Sequence, residues 1–377
     1  MDTATILIID DNENQTALSQ NLNSSGLVTT QTLHPNDIGL DDLRNSDLLL
    51  VDYQLDVWPE RDAIEQISLK PRDGLALSSN LRGYSNAFEK DSPTAIAILT
   101  GNIDKLASPL PYENREHVLA HLHNLEWVFQ KAKPDEKSRL TIQLVDLAQA
   151  VKSLPPRWSD KGSEALPQLT TLLGFDQDDS ANQRLVEDVE GCAPPIHELS
   201  EWSHGLAVLR WILHRILPYP CFLWDTNYVA ARLTLDHDGF VLALNEDPKL
   251  ANILAPTKYE GILSKFLGPR WWRSRIELLL WEITEGQSGD PAVVRNRLNN
   301  LIDRKVGTSK PAVHPIVCLN SNYQRLESFY SIHDSVRIRP DDWPPYADQA
   351  WTTIELAKNE PKLRSLVLTE DLERLKN

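Results

Sequence analysis

Five residues in the first third of the chain have the types and placement to do chemistry together: Asp10, Asp11, Asp52, Thr100 and Lys131. Each stands at the end of a short apolar run. Ile6-Leu7-Ile8-Ile9 runs into Asp10-Asp11, Leu48-Leu49-Leu50-Val51 into Asp52, Ala95 to Leu99 into Thr100-Gly101, and Trp127-Val128-Phe129-Gln130 into Lys131. Phosphoryl transfer to a carboxylate asks for such a set: an aspartate nucleophile, acids for a hard cation, and a hydroxyl and an ammonium to neutralise the added phosphoryl oxygens. Asp52 is the candidate acceptor. Three carboxylates drawn together repel one another, so Asp10, Asp11 and Asp52 make sense around a cation, and oxygen ligands suit Mg²⁺. Asp10 and Asp11 also read as helix-capping residues for the stretch that follows them.

Short apolar runs bounded by polar residues are the pattern of strands buried in a parallel sheet. Helical stretches separate them, from Asn12 to Leu22, from Asp41 to Asn45 and from Ser138 to Leu154, with extended character resuming at Gly26-Leu27-Val28. Such β/α alternation predicts an α/β fold, a doubly wound five-stranded parallel sheet whose carboxyl ends, and so the five residues, share one edge. Ser138 to Leu154 carries Leu140, Leu144, Leu147, Val151 and Leu154 along one stripe and closes this unit. Leu154-Pro155-Pro156 then breaks the helix and sets a boundary between residues 1–154 and 155–377.

The order of these motifs resembles the receiver domain of two-component response regulators over about residues 4–154. Ile6 to Asn12, Leu49 to Asp52, Asp73-Gly74, Leu99-Thr100-Gly101 and Phe129-Gln130-Lys131 carry the resemblance. It implies a flavodoxin-like receiver fold in a cytoplasmic phosphorelay, with Asp52 accepting the phosphoryl group from a histidine kinase or phosphotransfer protein. Asp10 or Asp11, Asp52 and the backbone carbonyl of Gln54 would ligate Mg²⁺. Thr100 would be the switch hydroxyl and Lys131 the pairing cation, with Lys133, which precedes Pro134, as the other choice. In the family Asp-Gly follows the acceptor closely, whereas here Gly74 lies 22 residues after Asp52. The excess, an insertion at about 56–70 that includes Trp58-Pro59 and a helical-looking Asp62 to Ile67, reads either as a surface insertion or as a lid or kinase-docking element. Neither lysine has the family's aromatic three residues earlier, the positions being Val128 and Gln130. His117 and His121 fall on one helical face without acidic or cysteine company.

A length of 377 residues predicts two domains. The net charge of −16 divides as −10 for residues 1–154 and −6 for 155–377, which lacks the clustered Lys and Arg of a nucleic-acid binder and sets DNA aside as a partner. No apolar run approaches the ~20 residues of a membrane helix. Acid by position 10, and three scattered cysteines (Cys192, Cys221, Cys318), point to a cytoplasmic protein without membrane contact.

Residues 155–377 read as a mostly α (α+β), Trp-rich domain. A buried helix is predicted over Glu198 to Leu217, a hairpin over Tyr228 to Leu244 turning at Asp238-Gly239, and a helix through Arg273 to Ile283. Another helix starts at Asp290-Pro291 and runs to about Arg304, a strand lies at Pro315 to Leu319, and helices follow at Ala347 to Asn359 and Lys362 to Leu375. Asp236, His237 and Asp238 could form a metal triplet, although turn chemistry explains them as well. No phosphate-binding glycine loop, nucleophile elbow or zinc-spaced cysteine pair occurs. The reading that follows is a phosphoacceptor acting through a protein effector, through self-association, or as a phosphate sink. Its alternatives are a receiver-regulated enzyme using His214, Asp225 or His237, and a scaffold that carries no phosphate.

Overall fold

The computed structural model describes residues 3–12, 16–58, 70–87, 92–101, 103, 106, 115–131, 137–158, 162–199, 205–302 and 314–376. Its first part is a five-stranded sheet of β1 (Ala4–Ile9), β2 (Val28–Leu33), β3 (Leu48–Asp52), β4 (Ala95–Thr100) and β5 (Trp127–Gln130). The strand order is β2-β1-β3-β4-β5 and every pairing is parallel. This is the flavodoxin-like, doubly wound arrangement, in which β1 and β3 pair at the point where the winding reverses.

The apolar runs are continuous because both faces of the sheet are buried, and alternate residues serve opposite faces. Leu7, Ile9, Leu49, Val51, Ile96, Ile98 and Val128 pack with helices α2 (Leu40–Asn45), α3 (Gly74–Ala87) and α4 (Arg115–Leu122). Ile6, Ile8, Leu48, Leu50, Ala97, Leu99, Trp127 and Phe129 point the other way, against α1 (Thr16–Asn23) and α5 (Lys137–Lys152). That second apolar cluster does not end with α5. It continues through Trp158, Leu169 and Leu209 to Phe266 and Trp272, so one face of the sheet and the residues after Pro155 share a core.

Beyond Pro155 the chain is about half helical. Helix α6 (Gly162–Leu172), α7 (Gln183–Gly191) and α8 (Leu206–Trp211) lead into a wider turn of π-helix at Ile212–Ile216. Of the helix predicted over Glu198 to Leu217, residues 200–204 lie outside the described residues; Ile196–Glu198 is a 3-10 turn, and helix runs on from Leu206 after Gly205, whose φ of +94° no residue of a right-handed helix adopts.

The predicted hairpin over Tyr228 to Leu244 is two helices, α9 (Thr226–Arg232) and α10 (His237–Glu246). Two acids overturn that reading by acting as caps. Asp225 accepts from the N–H groups of Asn227 and Tyr228, and Asp236 from that of Gly239. A Cβ on Gly239 would come within 2.7 Å of the Asp236 carboxylate, so the Asp-Gly pair closes a cap and turns no hairpin.

Helices α11 (Pro248–Leu254), α12 (Arg273–Ile283) and α13 (Pro291–Leu301) complete a second apolar cluster. The strand predicted over Pro315 to Leu319 reduces to Pro315–Ile316, paired with Tyr330–Ser331. Ala350–Thr353, predicted helical, pairs antiparallel with Ser335–Ile338, and Thr353 then caps the shorter helix Ile354–Asn359. Among the described residues no helix is long and apolar enough to cross a membrane.

Candidate functional site

Parallel strands bring Asp10, Asp52, Thr100 and Lys131 to one edge, each at or just past the end of its strand. Strands β3, β4 and β5 are neighbours, so Asp52, Thr100 and Lys131 follow one another across the sheet. The Lys131 N–H donates to the Thr100 carbonyl at 2.7 Å, which holds the lysine beside β4. Its ammonium then reaches back to Asp52 Oδ2 at 2.8 Å. Lys133 lies outside the described residues.

Asp52 is 6% exposed, and its second oxygen, Oδ1, is buried with no hydrogen-bond partner among the described residues. Burial pushes its carboxyl up from the ordinary range. Lys131 pulls it back part of the way, and the charge of nearby Asp10 adds to the rise. Asp10 is itself buried and accepts from the Asn12 N–H. Asp11 is spent differently, since its Oδ2 accepts from the Val57 N–H at 2.5 Å, where the insertion begins.

Among the described residues no three acid, histidine or cysteine side chains lie together as a ready-made metal cage. A cation is nonetheless suited by the orphaned Asp52 Oδ1, with the Asp10 carboxylate close enough to repel it. Oxygen donors of this kind favour a hard ion such as Mg²⁺. Thr100 is 1% exposed. Gln54 follows two residues after Asp52 and is exposed.

The Asp73-Gly74 pair is far from Asp52 in sequence and against it in space. The Gly74 N–H donates to the Tyr53 carbonyl at 2.9 Å, and a Cβ on Gly74 would lie 2.2 Å from the Asp52 carbonyl oxygen. Helix α3 therefore starts directly on the end of β3. Trp58 is fixed near the start of the insertion. It is 7% exposed, donates from Nε1 to Asn36 Oδ1 at 2.9 Å, and meets His34 edge-on, while Lys70 at the far end stands over its ring. The stretch Asp62 to Ile67 lies outside the described residues.

Sequence reasoning did not single out a second carboxylate, at the opposite end of the sheet. Glu126 is fully buried, and both its oxygens are taken: Oε2 by Arg82 at 2.8 Å and the Ile96 N–H, Oε1 by Arg210 at 2.7 and 2.9 Å. Burial would raise this carboxyl, but the two guanidinium groups and the amide outweigh it and hold it below the usual range. Its place at the head of an apolar run was the available signal, because a carboxylate there must find a partner.

Nearby, His117 and His214 stack with Trp127, and His117 Nε2 lies 3.3 Å from the Tyr219 hydroxyl. Burial pushes His117 down to about 3 and His214 to about 4. Of the other residues named for an enzyme, Asp225 caps α9 and pairs with Arg325 at 2.6 Å, and His237 sits near Asp238 and Thr226. None of His214, Asp225 and His237 is among the described residues that line the cleft beside β5.

No family model and no curated protein matches the chain. Among solved structures it is similar to a CheY-like response regulator receiver domain from Methylobacillus flagellatus, at 14% identity and a TM-score of 0.24, over 38% of this chain and 99% of that one. It is also similar to response regulator ChrA of a heme-sensing two-component system (14%, TM-score 0.27, 65% and 98%) and to RcsB dimers bound to DNA (13%, 0.26, 56% and 99%). At these scores the likeness carries no argument about activity, and the strand order stands on its own as the basis of the fold. Setting DNA aside on net charge gains no support from neighbours of which one is DNA-bound.

Proposed function

We propose that the chain is a response-regulator-like phosphoacceptor, phosphorylated on Asp52 by a histidine kinase or phosphotransfer protein. The observation that carries this is the state of one carboxylate: buried at the sheet's carboxyl edge, one oxygen on the Lys131 ammonium and the other, Oδ1, without a hydrogen-bond partner among the described residues. Fully satisfied carboxylates are structural, whereas one left short of partners is poised to gain them.

In this reading an Asp52 oxygen attacks phosphorus, the P–N bond to the donor imidazole breaks, and its electron pair stays on the ring nitrogen. Lys131 transfers its hydrogen bond from the carboxylate to a phosphoryl oxygen, and the Thr100 hydroxyl at the end of β4 accommodates another. Asp10 or Asp11, Asp52 and the Gln54 carbonyl would hold Mg²⁺, which supplies the positive charge that offsets the phosphoryl oxygens.

Residues 1–154 are then the phosphoacceptor unit and 155–377 the output unit. Added charge at the ends of β4 and β5 acts on strands whose Leu99, Trp127 and Phe129 pack into the core shared with the second half. The net charge of −16 favours output through protein contacts over DNA.

Incubation with acetyl phosphate tests the assignment. Labelling is expected to require Mg²⁺, to vanish in Asp52→Asn and to fall sharply in Lys131→Ala. Equal labelling of Asp52→Asn and wild type would overturn it.

A further inference from the structure

Strand β5 is the edge of the sheet, and a cleft of about 340 Å³ lies between it and the second half. That volume falls within the range of small-ligand sites. Its walls carry an unusual charge for this molecule. Arg139, Arg270 and Arg325 line it, with Glu116 as the one acid among the described lining residues, in a chain of net charge −16. His117, also in the wall, is held neutral by its burial.

Among the described residues, Arg325 is ion-paired whereas Arg139 and Arg270 have no carboxylate in salt-bridge contact. Arg325 bonds Asp225 through Nη2 at 2.6 Å. Arg270, 5% exposed, donates to the carbonyls of Leu217, Leu267, Gly268 and Pro269, which satisfy its N–H groups without neutralising it. Burial and the neighbouring Arg325 together depress Arg270, against the pull of Asp225, to about 10. One buried guanidinium, Arg270, and one half-buried, Arg325, thus lie around one carboxylate. Arg139 stands exposed at the rim. Beyond the lining, the charges of Asp341 and Asp342 act on Tyr323, and that of Asp342 on Tyr219.

The remaining walls are aromatic. Arg325 stands over the Tyr228 ring at 5.8 Å, and Trp343 and Tyr323 also line the cleft. Tyr323 holds a φ of +60°, a left-handed conformation that a bulky side chain adopts only when its surroundings enforce it. The turn that does so is built by Asn320, whose side chain accepts from the N–H groups of Asn322 and Gln324. A strained backbone that delivers a ring to a cationic cleft is the second sign of a site.

We propose that the cleft binds a small aromatic anion, its negative group at Arg325 and Arg139 and its ring against Tyr323 and Trp343. Guanidinium forks match carboxylate and phosphate, and rings of this kind stack on planar ligands. Because the cleft runs along Trp127 to Gln130, one residue short of Lys131, the ligand bridges the sheet edge and the second half. The site is independent of phosphorylation at Asp52.

Calorimetric titration of the full chain with AMP and benzoate, each against its uncharged counterpart adenosine or benzamide, tests this. At least one anion is expected to bind about tenfold tighter than its counterpart, a difference of about 1.4 kcal/mol. Arg139→Ala and Tyr323→Asn should each weaken that binding about tenfold or more. The melting temperature should hold in both, since Arg139 is exposed and asparagine tolerates the left-handed turn. Anions that bind no better than adenosine and benzamide, or binding that survives both substitutions, would overturn the proposal.

Discussion

The two ends of the central sheet each bury a carboxylate, and they treat it in opposite ways. At the amino end Glu126 has two arginines and a backbone amide, and its carboxyl is held below the usual range. At the carboxyl end Asp52 has one lysine and the Gln54 amide, its Oδ1 has no hydrogen-bond partner among the described residues, and burial pushes its carboxyl up. Glu126 joins Arg82 of α3 to Arg210 of α8, so it fastens the sheet to both its neighbours. Asp52 fastens little and stands where a cation or phosphoryl group would meet it. Charge burial alone does not mark function; the balance between burial and partners does.

The largest expected effect breaks that contrast at its structural end. Glu126→Ala would strand two guanidinium groups against the protein interior and cost on the order of 3–5 kcal/mol in urea unfolding. Asp52→Asn removes a charge that the fold already disfavours, so its cost should stay below about 1 kcal/mol, with Lys131 free to turn to solvent. Equal losses in the two variants would mean that Asp52 is as structural as Glu126.

Next comes acid. His214 lies near 4 in the folded chain against an ordinary value of 6.5, so between those limits the unfolded chain takes up a proton that the folded chain refuses. Stability therefore falls as pH drops from 6.5 to 4, by about 3 kcal/mol from this residue at 1.36 kcal/mol per pKa unit. His117 adds to the loss in the same direction, as does Glu126 below its unfolded value. Asp52 opposes them, because its raised carboxyl is easier to protonate in the fold. Denaturant midpoints across this range check the sign. Stability that stays flat from pH 6.5 to 4 would mean that the histidine stack is reached by water.

Gly74→Ala comes third. The new methyl would sit 2.2 Å from the Asp52 carbonyl oxygen, so α3 must shift off the end of β3, at a cost of about 1–3 kcal/mol. The displacement also moves the acceptor, so acetyl phosphate labelling should fall along with the melting temperature. Labelling at the wild-type rate would detach Gly74 from the site.

These particulars show what the sequence could carry. Strands β1, β3, β4 and β5 were legible because burial on both faces leaves nearly unbroken apolar runs, and their carboxyl ends located Asp10, Asp52, Thr100 and Lys131 with no knowledge of contacts. Asp73-Gly74 was legible as a motif although displaced, since only glycine fits so close to a backbone. The Glu126 network was not, because its arginines lie 44 and 84 residues away and nothing local ties them together. The α9–α10 pair was misread for a different reason. Asp-Gly serves hairpin turns and helix caps alike, and the choice fell to packing of Val229, Leu233, Phe240 and Ala243 in a cluster formed mainly by distant residues.

The smallest effect sharpens the comparison at the carboxyl end. Trp58→Phe keeps an aromatic ring beside His34 and deletes the single bond from Nε1 to Asn36, so the global loss should be about 1 kcal/mol. Its value lies in what it does to Asp11. Val57, the residue before Trp58, donates its N–H to Asp11 Oδ2, so loosening the anchor frees that oxygen. If Asp11 is a cation ligand in the working protein, the variant should need less Mg²⁺ for half-maximal labelling with acetyl phosphate than the wild type does. If Asp10 serves alone, the Mg²⁺ dependence will not move, and Asp11 belongs with Glu126 among the carboxylates that hold the fold.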